Sequence, residues 1–357
     1  MLGRTPARLL AAIALLLTGP ALGVEVSSKD GGHVQNPVWS PDGQWLSFEV
    51  NNMSNVVELW LTKMNGSAPG TPTQLRIPGA STSFGAGGYF AASPVWATTP
   101  ALMIVFEGSN PGGKRRLYYA NPGSGAPNEL ITNTQIQGNI SSAAISKSGK
   151  RFAFISDVTG SGDVYVWNLE KGDLGVMGGT ATEASENFPN FNDAGDTLVF
   201  SRKNDGNQDL FTWSSGATTP PLKGGNGDQT RPRWVGDKVV YFSSERGEGH
   251  WDIAVTGKSG ERVVVAQDVR LPSRSAPAVT PDGSAVVYAS SVPEKADRLL
   301  ITRLDGSSTD EIPTGRVACG EPALTVAGGR TLVAFTALPS EGADWRRLHV
   351  IDITGKL

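Results

Sequence analysis

The stretch from residue 36 to 48, NPVWSPDGQWLSF, constrains this chain more than any other feature, because the sequence goes on to copy it. Pro37 to Ser40 read as a short strand. Pro41-Asp42-Gly43 reads as a tight turn, in which proline presets φ, aspartate bonds its own backbone and glycine supplies a positive φ. Trp45 to Phe48 returns as a second strand. The pattern recurs at 276–288 as APAVTPDGSAVVY, and in weaker form around Pro94, Ala143, Pro189, Pro232 and Pro322. Aligning the Pro37 position places anchors at 37, 94, 143, 189, 232, 277 and 322, with steps of 57, 49, 46, 43, 45 and 45. A hairpin-rich repeat of this period predicts a β-propeller with one four-stranded antiparallel blade per repeat, hence an all-β chain of seven blades.

Each repeat reads as anchor strand, return strand, a third strand of the Glu58-Leu59-Trp60-Leu61 type and a short fourth. After Ile353 the seventh repeat lacks its fourth strand. Val24 to Val26, a short alternating stretch ahead of the first anchor, is expected to fill the gap and close the ring, which removes both unpaired edges. Strand alternation puts the tight Asp-Gly and Asn-Gly turns on one face. The longer second-to-third loops and the links between blades share the other, where function is expected.

Residues 1–23 differ from the rest. Arg4 and Arg8 give a basic start, Leu9 to Leu17 an apolar run too short to span a bilayer, and Ala21-Leu22-Gly23 a small-x-small exit, so the expectation is a signal peptide cleaved before Val24. The expected mature chain, 24–357, is one periplasmic or secreted propeller domain, monomeric and without a transmembrane segment. A net charge of −3 with 18% charged residues supplies no global field for nucleic acid or an anionic membrane. The 44 glycines and 23 prolines belong to the periodic turns. Cys319 is the single cysteine, so no intrachain disulfide can form, and it reads as a small buried hydrophobe.

The anchors NPVWSPDG and APAVTPDG, with third strands preceded by turns such as the one at 204–210, NDGNQDL, resemble the TolB-like propeller repeats from about Gln35 onward. The resemblance implies the fold. Such repeats also occur in prolyl-oligopeptidase-type enzymes and oligogalacturonate lyases. TolB places an α/β domain before its propeller, whereas about a dozen residues separate the leader from the first anchor here, so the chain resembles a stand-alone propeller without that domain.

Catalytic patterns are sparse. No G-x-S-x-G elbow occurs, nor a calcium loop, phosphate loop or CxxC pair. Three histidines, His33, His250 and His349, are too few to suggest a metal centre, although His33 and His349 both belong to the closure junction. The expectation is therefore no cofactor, no metal and no catalytic residue. The channel-lining anchor positions are Val38, Val95, Ala144, Asn190, Arg233, Ala278 and Ala323, of which only Arg233 is charged. Phe84, Tyr89, Phe90, Trp251 and Trp345 fall off the anchor positions, and Arg270, Arg274 and Arg316 sit in the links around the sixth repeat. These eight residues are expected to bind a protein partner, since interfaces enrich aromatic residues and arginine. The overlong step between the first two anchors puts the extra residues within 78–90. The resulting expectation is a non-catalytic, envelope- or transport-associated interaction scaffold. The alternative is a carbohydrate-binding or lyase-type propeller using its channel.

Overall fold

The computed structural model describes residues 23–27, 31–54, 56–79, 89–132, 135–176, 180–204, 206–214, 217–219, 222, 226–257, 260–293 and 295–356. Residues 1–22, nearly all of the expected leader, lie outside these residues, as do Phe84 and most of the 78–90 insertion. Every regular element among the described residues is a strand. Strand pairing gives five separate four-stranded antiparallel sheets and one nine-stranded sheet, the latter made of two further units joined at one parallel bridge between Val57 and Phe90. The strands thus group into seven blades, spanning 33–75, 90–129, 140–176, 185–218, 229–266, 278–311 and 317–352. The outermost strand of the seventh is Val24–Ser27, which pairs antiparallel with Arg347–Asp352 in the register Val24 to Val350 and Glu25 to His349. The expected closure by the N-terminal strand is what the chain does.

Blade-on-blade stacking explains the composition of the second strands. They are covered on both faces, so several read as apolar runs without alternation, as in Lys238–Ser243, Arg151–Ser156 and Ala285–Ala289. The core lies between blades: Phe48, Val50 and Trp39 of blade 1 pack with Leu332, Ala334 and Val350 of blade 7. At the anchor turn the Gly43 N–H donates to the Ser40 carbonyl at 2.9 Å, and Gly283 repeats this on Thr280 at 2.9 Å. Gly43 has φ of 67°, and a Cβ there would stand 2.4 Å from the Ala327 side chain of the neighbouring blade. Glycine is needed at that turn both for its conformation and for the close approach.

The first strands share a second device. In six blades the residue just before the anchor position is left-handed: Asn36, Ser93, Ser142, Phe188, Arg231 and Glu321 have φ between 47° and 53°. The ladder slips at the same place, for instance between Gln35 and Val38 and between Thr230 and Arg233. Each is a β-bulge, which kinks the strand and re-aims the bulged side chain. Blade 6 lacks it, and only Ala278–Val279 remain as its first strand.

Candidate functional site

The seven first strands surround a cavity of about 600 Å3. All seven anchor positions assigned to the channel from the sequence line it, and so do five of the six bulged residues before them, Asn36, Ser93, Ser142, Phe188 and Arg231. The bulge turns these side chains toward the cavity mouth. Four arginines reach the cavity: Arg115, Arg231, Arg233 and Arg274, together with Glu107.

Arg274 is carried by the segment that replaces a long first strand in blade 6, and it reaches across the mouth to blades 1 and 2. Its Nη1 donates to Ser93 Oγ at 3.3 Å, its Nε lies 3.5 Å from Glu49 Oε2, and its guanidinium sits 5.1 Å from the Phe90 ring. Arg115 covers Phe90 at 4.4 Å and lies 3.4 Å from Glu107 Oε2. The same crossing segment is tied to its other neighbours. Ser273 N donates to Glu321 Oε1 at 3.0 Å, Ser275 Oγ to Asn36 Oδ1 at 2.6 Å, and Arg231 Nη2 to the Ser273 carbonyl at 2.9 Å.

Glu49 is fully buried, and burial raises its pKa against the pull of Arg274 and three hydrogen bonds. Those bonds come from Asn36 Nδ2 at 2.7 Å, the Ser93 N–H at 2.8 Å and Gln35 Nε2 at 2.8 Å. Arg231 is pulled down to about 10, chiefly by burial, with Glu321 opposing and Arg274 adding to the shift. Its Nη2 is bonded, but Nε and Nη1 are buried without a hydrogen-bond partner. Arg233 is ringed by protein yet open to the solvent of the cavity; enclosure lowers its pKa, and its contact with the Pro277 carbonyl is a long 3.4 Å.

The residues expected to form a protein-binding surface do not come together as one. Tyr89 is core, 1% exposed, and its hydroxyl donates to the Leu75 carbonyl. Phe90 opens the first strand of blade 2, between two guanidiniums, and is not a free loop residue. Trp251 packs on the hydrophobic cluster shared by blades 5 and 6, and Trp345 stands edge-on to His33 at 5.1 Å. Arg270 pairs with Asp297, and Arg316 donates to the Gly23 carbonyl at the closure seam. Of the seven that lie among the described residues, Arg274 and Phe90 meet at the channel mouth. His349 is buried against Phe335 with a ring separation of 5.5 Å, while the His33 ring nitrogen accepts from the Arg346 N–H. Cys319 is buried, as expected. Among the described residues no three His, Cys, Asp or Glu side chains are grouped to hold a metal ion.

What the sequence reading missed were Glu107, Arg115 and Arg231, because it counted only the anchor position of each first strand. For Arg231 a signal was present one residue before the anchor, where the repeats show Asn, Ser, Ser, Phe, Arg and Glu in place of strand-forming residues; Glu107, on a second strand, and Arg115, just ahead of a third, carried none.

A scan against protein-family models finds no match, and a search of curated proteins finds none either. Solved structures match in fold. An oligogalacturonate lyase from Vibrio parahaemolyticus aligns over 95% of this chain and 100% of its own, with a TM-score of 0.62 and 14% identity. A puromycin-hydrolyzing peptidase from Mycobacterium tuberculosis aligns over 94% of this chain and 56% of its own, at 0.62 and 13%. TolB from Acinetobacter baumannii aligns over 78% of this chain at 0.52 and 16%, and this chain spans 62% of that protein. The expectation of a non-catalytic scaffold, with no enzyme activity, is corrected on these findings. Propellers of this shape stand in a lyase and a peptidase, and the count of one charged channel residue behind that expectation fails, since Arg115, Arg231, Arg274 and Glu107 join Arg233. At these identities the likeness concerns the fold: this chain is similar to the TolB, oligogalacturonate lyase and puromycin-hydrolyzing peptidase propellers in the architecture that surrounds the cavity.

Proposed function

We propose that this chain is a carbohydrate-active propeller whose central channel takes a carboxylate-bearing sugar, and that its leader delivers it to the periplasm or the cell exterior. The observation that carries the reading is Arg231, with Nε and Nη1 buried and unpartnered at the wall of a cavity. A stranded buried donor costs about 1–3 kcal/mol. A ligand carboxylate satisfies such a donor with a charge-assisted bond, the contact a guanidinium favours. Arg233 and Arg274 add positive charge in an enclosed space where water screens poorly. About 600 Å3 is ample for a small oligosaccharide. The lyase that aligns along its whole length acts, by its name, on an oligomer of an acidic sugar, the same charge class.

Calorimetric titration with an oligogalacturonate and with a neutral oligosaccharide of equal length tests the reading. The acidic oligomer should bind and the neutral one should not, and Arg231→Ala should weaken binding at least about tenfold, the loss expected for a charge-assisted bond. The same mixtures, followed by ultraviolet absorbance for an unsaturated uronate, report cleavage by elimination. Equal binding of both oligomers, or of neither, rejects the reading.

A further inference from the structure

Glu49 and Glu107 occupy the same place in successive blades. Each lies on the second strand, and each carboxylate accepts the backbone N–H of the bulged residue of the next blade: Ser93 at 2.8 Å for Glu49 and Ser142 at 2.8 Å for Glu107. Each also faces an arginine, Arg274 at 3.5 Å and Arg115 at 3.4 Å. The rest of their surroundings differ. Both Glu49 oxygens accept side-chain bonds as well, from Asn36 and Gln35. Glu107, only 2% exposed, has no hydrogen bond to Oε2 at all. Pinning the next blade requires one oxygen. In blade 1 the other oxygen is also saturated by the protein, whereas in blade 2 it is left at the wall of the cavity. The cover over it is Arg115, whose side chain is 41% exposed and rests on the face of Phe90.

We infer that Glu107 Oε2 is the hydrogen-bond acceptor for a hydroxyl of the channel ligand, and so sets the preference for a hydroxylated acid over a plain carboxylate. The inference rests on the channel reading proposed above. A neutral donor suits the position better than an ammonium group, because Arg115 already balances the carboxylate and further arginines line the same cavity. Arg231 of blade 5 and Glu107 of blade 2 line the same cavity.

The test compares galacturonate with cyclohexanecarboxylate, a six-membered ring that keeps the acid and lacks every hydroxyl, by NMR titration of wild type and Glu107→Gln. Neutralising Glu107 strengthens the binding of both anions alike, so their affinity ratio is the readout. Wild type should prefer galacturonate. Glu107→Gln, which turns an acceptor into a donor, should shrink the ratio about tenfold or more, as for a lost bond to a charged acceptor. An unchanged ratio overturns the inference and leaves the channel reading standing, while failure of wild type to bind either acid defeats both. A second series needs no variant: among monodeoxy galacturonates titrated into wild type, at least one should bind about tenfold more weakly, and uniform affinity overturns the inference.

Discussion

Blade 6 and the other six blades solve the same geometric problem differently. In the six, a left-handed residue ahead of the anchor bulges the first strand, and in five of them that residue lines the channel. In blade 6 the strand shrinks to Ala278–Val279, and the segment before it leaves the sheet to run across the mouth. That segment is held by Arg231 of blade 5, Glu321 of blade 7, Asn36 of blade 1 and Ser93 of blade 2. Regular repeats therefore build the walls, and the irregular repeat spans the opening. Position by position, the chemistry follows departures from the pattern, as function often does in repeat folds.

Arg274 is where this difference should cost most. Its removal leaves Glu49, fully buried, without its counter-charge. Breaking a buried pair by deleting one partner destabilises by about 3–5 kcal/mol, and because three hydrogen bonds to Glu49 survive, Arg274→Ala should fall near about 3 kcal/mol in urea unfolding. Adding Glu49→Gln should recover more than half of that. If Arg274→Ala unfolds at the wild-type midpoint, the crossing segment is not fastened to blades 1 and 2 as described.

The closure seam is the other irregular place, and it sharpens the contrast because its odd residue titrates. His349, opposite Glu25 of the N-terminal strand, is fully buried, and both ring nitrogens lack partners. Burial, with Arg316 and Arg347 adding to it, pulls it down to about 4 from 6.5. The unfolded chain takes up this proton before the folded one does. The contribution to stability is therefore whole above about pH 6.5 and is lost as pH falls toward about 4. Between about pH 7 and about pH 5 the loss should be on the order of 2 kcal/mol. Glu186, raised to about 7 by burial, acts in the opposite sense, gaining stability as pH falls. The difference between wild type and His349→Leu cancels that term. On going from about pH 7 to about pH 5, His349→Leu should therefore gain about 2 kcal/mol relative to wild type in urea unfolding, and a wild-type-to-variant difference that does not change with pH would mean His349 is not held neutral at the seam.

How much of this was legible beforehand depends on which force fixes each part. The propeller was legible because the anchor turn is a local device: Pro41, Asp42 and Gly43 carry their conformation in their own chemistry, and the copy at 281–283 repeats it. The channel positions followed from strand alternation. Closure by Val24–Ser27 followed from counting strands. The site did not follow, because its key contacts join residues 181 and 285 positions apart, as in Arg274 to Ser93 and Glu321 to Asn36. Tyr89 misled for a related reason. It lies beside a Gly- and Ser-rich stretch, yet it packs with Leu59, Ile77 and Phe106 in the contact between blades 1 and 2. Glutamate at 107 reads as a surface residue until the bulge of the next blade supplies its hydrogen bond.

The smallest effect gives the most direct test of the two strand geometries, since it should change sign between them. Ser142 stands at φ 51°, where a residue with a Cβ is strained by about 1–2 kcal/mol. Glycine removes that strain, and against it stands a gain in unfolded-chain entropy of about 0.4–1 kcal/mol. The bond from the Ser142 N–H to Glu107 is made by the backbone and survives. Ser142→Gly should therefore be neutral or stabilising by up to about 1 kcal/mol. Ser275 stands two residues ahead of the blade 6 anchor, in the crossing segment and without a positive φ, and its hydroxyl donates to Asn36 Oδ1. There glycine relieves nothing, adds the same entropy cost and removes a hydrogen bond, so Ser275→Gly should destabilise by about 1–2 kcal/mol. Urea unfolding of the two single variants measures the difference. Equal effects at both positions would mean that the bulge of the six blades and the crossing segment of blade 6 impose the same backbone demand, and the distinction between them would collapse.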